Sequence, residues 1–263
     1  MSPTTRRSHS IAGPLLSPAG TSGNGGRSPY KRLLLKLSGE SFCKPGGFGI
    51  DGEELNEIAR EVQAAAGLGA QIAIVVGGGN IIRGAQLAAS GHIHQATADQ
   101  MGMLGTVINA LALKEKLTAL GVECRAMSAI EMRAVAEPFI RGRAIRHLDK
   151  GRVVILAAGT GNPFFTTDTC AALRSTELEC QVLLKATKVD GVYTADPKKD
   201  PTATRYTKLT FSEALGKQLK VMDMTALAMC QEHKVPVLVF DFIKPGNIAR
   251  VVRGEDVGTL ITV

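Results

Sequence analysis

Short apolar runs that end at glycine recur along this chain, and stretches with helical periodicity lie between several of them. The run at 33–37 ends in Ser-Gly, the run at 72–76 ends in three glycines, and the run at 153–157 is followed closely by Gly-Thr-Gly-Asn. Such runs, bounded by turn residues, are typical of buried strands. Strands that alternate with helices predict an α/β fold, in which a mainly parallel sheet carries helices on both faces.

Further elements follow from the same patterns. Residues 51–66 carry apolar side chains at helical spacing behind Asp51, which is suited to cap the N-terminus of a helix. The apolar side chains of 101–120 predict a long helix. More strands are expected at 122–126, 182–184 and 235–240.

Residues 1–29 differ in composition from the rest of the chain. Ser, Thr, Gly and Pro dominate there, and Asp and Glu are absent. Such a segment cannot bury enough apolar surface to offset the entropy lost on ordering, so we predict a disordered N-terminal extension. The Arg6-Arg7 pair allows an export signal, but the apolar stretch behind it is short and interrupted by Pro14, which favours the extension. One folded domain is then predicted over residues 30–263.

Composition excludes some partners and leaves others open. The formal net charge is +7, a mild basic excess that suits phosphorylated small molecules as well as nucleic acids. Aromatic residues make up only 4% and Trp is absent, which argues against stacking on single-stranded nucleic acid. No apolar run approaches the roughly 20 residues that a membrane-spanning helix needs. We therefore expect neither nucleic-acid nor membrane binding.

The cysteines and histidines predict no metal site. Five cysteines are scattered without a Cys-x-x-Cys pair, and the five histidines lack the spacing of metal ligands. Neither a zinc site nor a disulfide framework is expected, and a cytoplasmic location is predicted.

The three glycines after the second run indicate phosphate binding. Glycine lets backbone N–H groups approach a phosphate without a Cβ in the way, and a helix opening here would add partial positive charge. Arg83 adds a guanidinium that can bind phosphate through two hydrogen bonds. A tight turn without a ligand is the alternative. Ile82 breaks the Gly-x-Gly-x-x-Gly dinucleotide fingerprint, and no P-loop sequence occurs.

Lys36 lies inside the first apolar run, next to its glycine turn. Desolvating a lysine near the end of a buried strand is costly unless an anion meets it, so Lys36 is a candidate phosphate ligand. The alternative is an edge strand whose lysine points to solvent.

Two later segments complete the candidate site. In 159–168, Phe164 and Phe165 offer flat apolar area, hydroxyl groups follow, and Asp168 stands where a helix is expected to begin. Core packing of the two rings and plain helix capping by Asp168 are the alternatives. Segment 185–196 could form a loop over a nucleotide base and ribose, and a solvated charged turn explains it equally well.

These segments, together with Asp99 before Met-Gly-Met, occur in the order found in the bacterial uridylate kinases of the amino-acid kinase fold family. The chain resembles that family over residues 30–263, most specifically in 160–167 and 185–191. The resemblance implies a three-layer αβα sandwich. It also implies phosphoryl transfer from MgATP to UMP, giving UDP and ADP in pyrimidine nucleotide biosynthesis, with Mg²⁺ accompanying ATP.

The resemblance also implies a role for individual residues. Lys36 would be the catalytic lysine, and Asp168 the carboxylate that orients it. The family positions that hold the ATP phosphates are matched by Lys36, Leu37, Ser38, Gly39, Gly79 and Arg83, and those near the adenosine by Thr187, Tyr193 and Asp196. The UMP pocket is matched by Gly78, Asp99, Thr160, Gly161, Asn162, Pro163, Phe164, Phe165, Thr166 and Thr167.

Family members are typically homohexamers that GTP activates and UTP inhibits, so self-association and both effectors are expected from the resemblance. Lys114 and Thr118 stand where an Arg and a His would be expected in the regulatory region, whereas Arg125 is kept. The response to GTP is therefore left open.

Two other classes of function compete with the kinase. One is a dinucleotide-dependent oxidoreductase, against which the broken fingerprint at Ile82 argues. The other is a nucleotide- or oxyanion-binding protein without catalysis, against which the combination of Lys36 and Asp168 argues.

Overall fold

The computed structural model describes residues 28–89, 91–197, 199–219 and 221–263. The predicted N-terminal extension lies outside these residues, apart from Ser28 and Pro29. The predicted strands are present, and their ends differ by up to three residues from expectation. The strands are β1 Arg32–Leu37, β2 Gln71–Val76, β3 Cys124–Ser128, β4 Glu137–Pro138, β5 Val153–Ala157, β6 Val182–Thr187, β7 Lys208–Thr210, β8 Val237–Asp241 and β9 Thr259–Thr262.

These strands form one sheet in the order β4-β3-β5-β2-β1-β6-β8-β9-β7. Neighbouring strands are parallel except for the pair β8 and β9. β1 lies between β2 and β6, and the chain turns to opposite sides of β1 to form these neighbours. Ligands of open α/β sheets bind beyond the carboxyl ends of the strands at such a switch point.

Helices cover both faces of the sheet. They are α1 Gly52–Ala66, α2 Gly84–Ala89, α3 Gln95–Ala119, α4 Arg141–Asp149, α5 Thr167–Glu177, α6 Phe211–Gly216, α7 Met224–Glu232 and α8 Asn247–Val252, with a short 3₁₀ helix at Gly39–Phe42. One hydrophobic core joins the sheet to α1, α3 and α8, and the other joins it to α4, α5, α6 and α7. The predicted three-layer αβα sandwich is thereby confirmed. None of the helices in the described ranges is long and apolar enough to cross a membrane.

Alternation along β1 decides where its lysine points. Leu33, Leu35 and Leu37 pack in the core with α1 and α3, whereas Leu34 packs in the core with α5. Because successive side chains of a strand point to opposite faces, Lys36 shares the α5 side with Leu34.

The Asp51 cap and a helix starting near Asp168 are confirmed, whereas a helix opening at the second glycine turn is wrong, as is the alternative that Asp168 is an N-cap. Asp51 caps α1 by accepting hydrogen bonds from two backbone N–H groups, as predicted. The glycines at 77–79 do not open a helix, because the chain makes turns there and α2 begins only at Gly84. The N-cap of α5 is Thr166 rather than Asp168, since the Thr166 hydroxyl accepts the first free N–H groups.

Candidate active site

Two lysines and one aspartate meet at the carboxyl ends of β1 and β6. Lys36 and Lys185 are paired in register across these parallel strands, so their side chains emerge on the same face. Asp168, in the first turn of α5, lies between them. Its Oδ1 is 2.9 Å from Nζ of Lys36, and its Oδ2 is 2.6 Å from Nζ of Lys185. Neither lysine points freely to solvent, so the edge-strand interpretation of Lys36 is wrong.

The electrostatics of this cluster follow from burial and mutual charge. Burial acts to raise the pKa of Asp168, but the ammonium groups of Lys36 and Lys185 outweigh it and hold that pKa below its ordinary value. Burial lowers the pKa of Lys185, and the Asp168 carboxylate opposes this only in part. Asp168 is therefore ionised at neutral pH, and it is the common anion of two cations.

Asp168 is placed by the start of α5 and by a second carboxylate. The Thr166 hydroxyl accepts the Asp168 N–H at 3.0 Å. Asp223, the N-cap of α7, accepts hydrogen bonds from the hydroxyls of Thr166 and Thr169. A carboxylate in the first turn of a helix is stabilised by the helix dipole, which supports the ionised state of Asp168.

The glycine turns after β1 and β2 lie against each other. A Cβ built on Gly39 would be 2.5 Å from the Gly79 nitrogen, and one built on Gly77 would be 2.5 Å from the Gly39 nitrogen. Backbone at this separation leaves no room for side chains, which is why both turns require glycine. Leu37 is fully buried in the core, so only its backbone is available to a ligand.

A cavity of about 310 Å³ opens beside the lysines. Its lining includes Ser38, Thr187 and Phe242 together with Lys36 and Lys185. Glu40, which also lines the cavity, pairs with two basic residues: its Oε1 is 3.5 Å from Nη2 of Arg83, and its Oε2 is 3.8 Å from Nζ of Lys188. The cavity thus combines lysine side chains, hydroxyl groups and an apolar ring, which suits a nucleotide with several phosphates.

Two residues predicted to lie near adenosine are further along the same loop. Tyr193 forms an isolated bridge with Arg205, and its hydroxyl donates to Asp190 at 2.6 Å. The backbone carbonyl of Asp196 accepts N–H groups of the turn that follows it. Among the residues that line the described cavity, neither of the two is present. Thr187 is the predicted adenosine residue that the fold brings to the cavity.

The segment predicted to bind the acceptor forms one loop between β5 and α5. Asp99 on α3 accepts the N–H of Phe164 at 2.8 Å, so this carboxylate is bonded to the loop with which the family resemblance groups it. Phe164 and Phe165 are 73% and 51% exposed. Their rings are therefore not core contacts, and that alternative is wrong. Thr160 and Asn162 bond to each other within the loop, which shapes its turn.

Sequence reasoning missed three members of this arrangement. Lys185 falls in the segment predicted to form a loop, although it lies inside an apolar run just as Lys36 does, and this shared pattern identifies it. Glu40 stands directly after the first glycine turn, where its position could have been noticed. No local pattern marks Asp223, which is 55 residues from Asp168 in the chain and reaches the site only through the packing of α7 on α5.

Residues 31–241 match the profile of the Amino acid kinase family. The structure of UMP kinase from Bacillus anthracis is 43% identical with a TM-score of 0.87, covering 89% of this chain and 96% of that one. UMP kinase from Ureaplasma parvum is 38% identical with a TM-score of 0.84, covering 89% of this chain and 99% of that one.

An archaeal structure extends the similarity. Uridylate kinase from Archaeoglobus fulgidus is 29% identical with a TM-score of 0.68, covering 87% of this chain and 99% of that one. The similarity to all three structures extends over most of the chain, and the residues matched by the family profile include both lysines and Asp168. The chain therefore belongs to the amino acid kinase family.

Proposed function

We propose that this protein transfers the γ-phosphoryl group of ATP to UMP, giving ADP and UDP. The observation that carries the proposal is the pair of lysines held by Asp168 at the carboxyl ends of β1 and β6. The acceptor is inferred from the UMP kinases and the uridylate kinase to which the chain is similar. In this proposal the cavity beside the lysines takes ATP, and the loop at 159–167 takes UMP.

The lysines would stabilise charge on the group in transfer. In phosphoryl transfer the protein contributes mainly positioning and electrostatic stabilisation, because the acceptor phosphate is already ionised. Lys36 and Lys185 present two ammonium groups from neighbouring strands, and Asp168 fixes both before the substrate arrives. Preorganised charge of this kind stabilises the transition state without reorganisation during the reaction.

Mg²⁺ is proposed to bind with the nucleotide rather than in a cage of side chains. Within the described residues no cluster of three or more His, Cys, Asp or Glu could hold a metal ion. Asp168 is engaged by two ammonium groups, and Asp223 is engaged by two hydroxyls and a backbone N–H. Both carboxylates are thus occupied as acceptors of hydrogen bonds, and Mg²⁺ would take its ligands from phosphate oxygens and water. When bound, the ion would neutralise phosphate charge, and Glu40 is the remaining carboxylate beside the cavity.

The loop at 159–167 is proposed to select uracil and to hold the acceptor ribose through Asp99. It presents backbone groups, the Thr160 hydroxyl and the Asn162 amide, which can pair with one pattern of donors and acceptors on a base. A polar-lined pocket rejects a base with the opposite pattern because buried groups are left unpaired. UMP should therefore be preferred over CMP.

Self-association is proposed on two grounds, the family resemblance and an exposed apolar face of α3. Leu104 and Ile108, one turn apart on α3, are 50% and 47% exposed. Neighbouring apolar side chains on a long helix suit contact with a second copy of the chain. We propose a homohexamer in the cytoplasm, with GTP as activator and UTP as inhibitor to be tested in the same assays.

A coupled assay of ADP release tests the proposed function. We expect turnover with ATP and UMP that requires Mg²⁺, and much slower turnover with CMP. Calorimetry with each nucleotide alone separates binding from catalysis. Nucleotide binding without ADP release would instead support a binding protein without catalysis, and reduction or oxidation of a nicotinamide cofactor would support an oxidoreductase. Equal turnover of CMP and UMP would contradict the proposal that the loop at 159–167 selects uracil.

A further inference from the structure

Helix α3 is bonded to the phosphate loop at residues 77–80. Asn109, fully buried in α3, donates from Nδ2 to the Gly77 carbonyl at 2.8 Å. It also exchanges two side-chain amide hydrogen bonds with Asn80, at 2.6 and 3.0 Å. Asn80 in turn donates to the Gly49 carbonyl at 2.7 Å. Every polar atom of this buried amide pair is therefore used to fix backbone or its partner.

The same helix is bonded to Ala158, which immediately precedes the loop at 159–167. We call this loop, proposed to bind UMP, the acceptor loop. The Thr106 hydroxyl accepts the Ala158 N–H at 2.7 Å and donates to the Met103 carbonyl in its own helix, also at 2.7 Å. Ala158 is completely buried and has φ +62°, a left-handed conformation that is strained for alanine. Its N–H therefore depends on a partner inside the protein, and Thr106 supplies that partner.

The two bonding residues lie three positions apart on one face of α3, where the helix also makes close backbone contact. A Cβ built on Gly78 would lie 2.6 Å from the Gly102 carbonyl oxygen and 2.9 Å from the Thr106 nitrogen. The phosphate loop consequently rests on the helix backbone itself. Helix α3 spans 25 residues and is a rigid element compared with either loop.

We propose that Thr106 and Asn109 are positioning residues that fix the acceptor loop and the phosphate loop relative to each other for phosphoryl transfer. The proposal rests on the proposed function and adds to it the groups that set the distance between the two substrates. In-line transfer requires the reacting atoms to be held about 3–3.5 Å apart, and a displacement of about 1 Å can lower the rate about a hundredfold. Neither residue touches a substrate in this proposal.

Thr106→Val tests the bond between α3 and the acceptor loop, because it keeps the shape of the side chain and removes the hydroxyl. The buried Ala158 N–H is then unpaired, and the loop backbone must shift to find a partner. We expect kcat to fall at least about tenfold and the KM for UMP to rise, with the KM for ATP within about twofold of wild type. Thr106→Ser, which restores the hydroxyl, should return both constants close to wild type.

Asn109→Leu tests the bonds between α3 and the phosphate loop. It should raise the KM for ATP more than the KM for UMP, the reverse of the effect expected for Thr106→Val. The matched control is Thr176→Val on α5. The Thr176 hydroxyl also donates to a carbonyl of its own helix, that of Ala172, at 3.1 Å. Thr176→Val should leave kcat and both KM values unchanged, so loss of an intrahelical hydroxyl bond alone does not explain the expected result.

Thermal unfolding of every variant separates positioning from stability. If Thr106→Val lowers the melting temperature but keeps kcat and both KM values of wild type at low temperature, the residue is only structural and the proposal is wrong. The same holds if Thr106→Ser fails to rescue. Should Thr106→Val not fold, Thr106→Ala, which also removes the hydroxyl, is measured in its place with the same criteria. Wild-type protein without UMP turnover would refute the proposed function and this proposal together, whereas active wild type with an unaltered variant refutes this proposal alone.

Discussion

Lys36 on β1 and Lys185 on β6 are paired in register, and both of their ammonium groups bind one carboxylate, that of Asp168. The three side chains together carry one net positive charge in a site that is largely removed from solvent. The parallel pairing of the two strands sets the separation of the lysines, and the first turn of α5 supplies the anion between them. An incoming phosphate therefore meets cations whose positions are already fixed.

Lys36→Ala should lower kcat by roughly 10²–10³, the loss typical of removing one preorganised electrostatic group. Asp168→Asn keeps the shape of the side chain but removes the charge that holds both lysines, so kcat should fall by at least a similar factor. The double variant should lose much less than the product of the two losses, because both residues serve one step. Steady-state kcat, with UMP affinity from calorimetry, checks this.

Lys31→Ala serves as the control for Lys36→Ala, because Lys31 is an exposed lysine immediately before β1. It should leave kcat unchanged. Turnover close to wild type in Lys36→Ala, or strictly additive losses in the double variant, would contradict the assignment.

The pH dependence of kcat should reveal Lys185. Burial lowers its pKa below the ordinary 10.5, and the Asp168 carboxylate opposes the shift. We expect kcat to decline on the alkaline side at a pH below 10.5, as Lys185 loses its proton. Asp168→Asn removes the opposing charge, so in this variant the residual activity should decline at a still lower pH. Lys185→Arg, which stays charged, should remove this decline.

Destabilisation of the fold by Lys185 itself does not explain such a decline. The folded-state pKa of Lys185 lies below its unfolded value, so between these two pKa values the unfolded chain binds more protons than the folded chain. The contribution of Lys185 to the free energy of unfolding therefore rises with pH in that range. A decline of kcat that parallels loss of the circular dichroism signal, or one that Lys185→Arg leaves in place, would show that another group is responsible.

The parts of the fold that could be predicted are those with a local signal. Apolar runs, the Asp51 cap and glycine breaks predicted the sheet, α1 and the edge at which the site lies. The prediction for β6 stopped at Leu184 because Lys185 interrupts its hydrophobic pattern, and the same interruption is a functional signal in β1. A prediction based on hydrophobicity alone ends the strand at a buried lysine.

The parts that could not be predicted depend on tertiary contacts. Asp223 reaches Thr166 and Thr169 only because α7 packs on α5. The helix expected after the second glycine turn is displaced to Gly84, because the glycines are needed for close approach to Gly39 and to α3 rather than for a helix start. Pattern analysis along the chain contains no information on either contact.

Asp99→Asn should weaken the use of UMP more than the use of ATP. The amide oxygen of asparagine can still accept the Phe164 N–H, so the loop keeps its bond while the charge proposed to hold the ribose hydroxyls is lost. We expect the KM for UMP to rise about tenfold, in line with the energy of a hydrogen bond to a charged group. Asp149→Asn is the control, because Asp149 pairs with Arg32 at the opposite end of β1. Equal increases in both KM values would argue against a role in the acceptor pocket.

Removal of residues 1–27 should leave kcat, both KM values and the oligomeric mass nearly unchanged. The composition of the segment, rich in Ser, Thr, Gly and Pro, does not support a core of its own. Kinetics and light scattering on the shortened chain check this. A large fall in melting temperature, or a smaller assembly, would show that the segment is structural.

Gly39→Ala should damage both stability and the use of ATP. The new Cβ would lie 2.5 Å from the Gly79 nitrogen and 2.7 Å from Oδ1 of Asn80, and the first of these atoms is backbone that cannot swing aside. Overpacking of this kind costs about 1–3 kcal/mol. At about 2–4 °C per kcal/mol for a protein of roughly this size, the melting temperature should fall by several degrees. Because the displaced backbone belongs to the phosphate loop, the KM for ATP should rise as well.

Gly52→Ala is the matched control for this substitution. Gly52 begins α1, and nothing lies within 4 Å of a Cβ built on it. Alanine is the better helix former by about 0.5–1 kcal/mol, so Gly52→Ala should keep or raise the melting temperature and leave the KM for ATP unchanged. If Gly39→Ala behaves as this control does, the two glycine turns do not need their close approach, and the phosphate loop must be held in some other way.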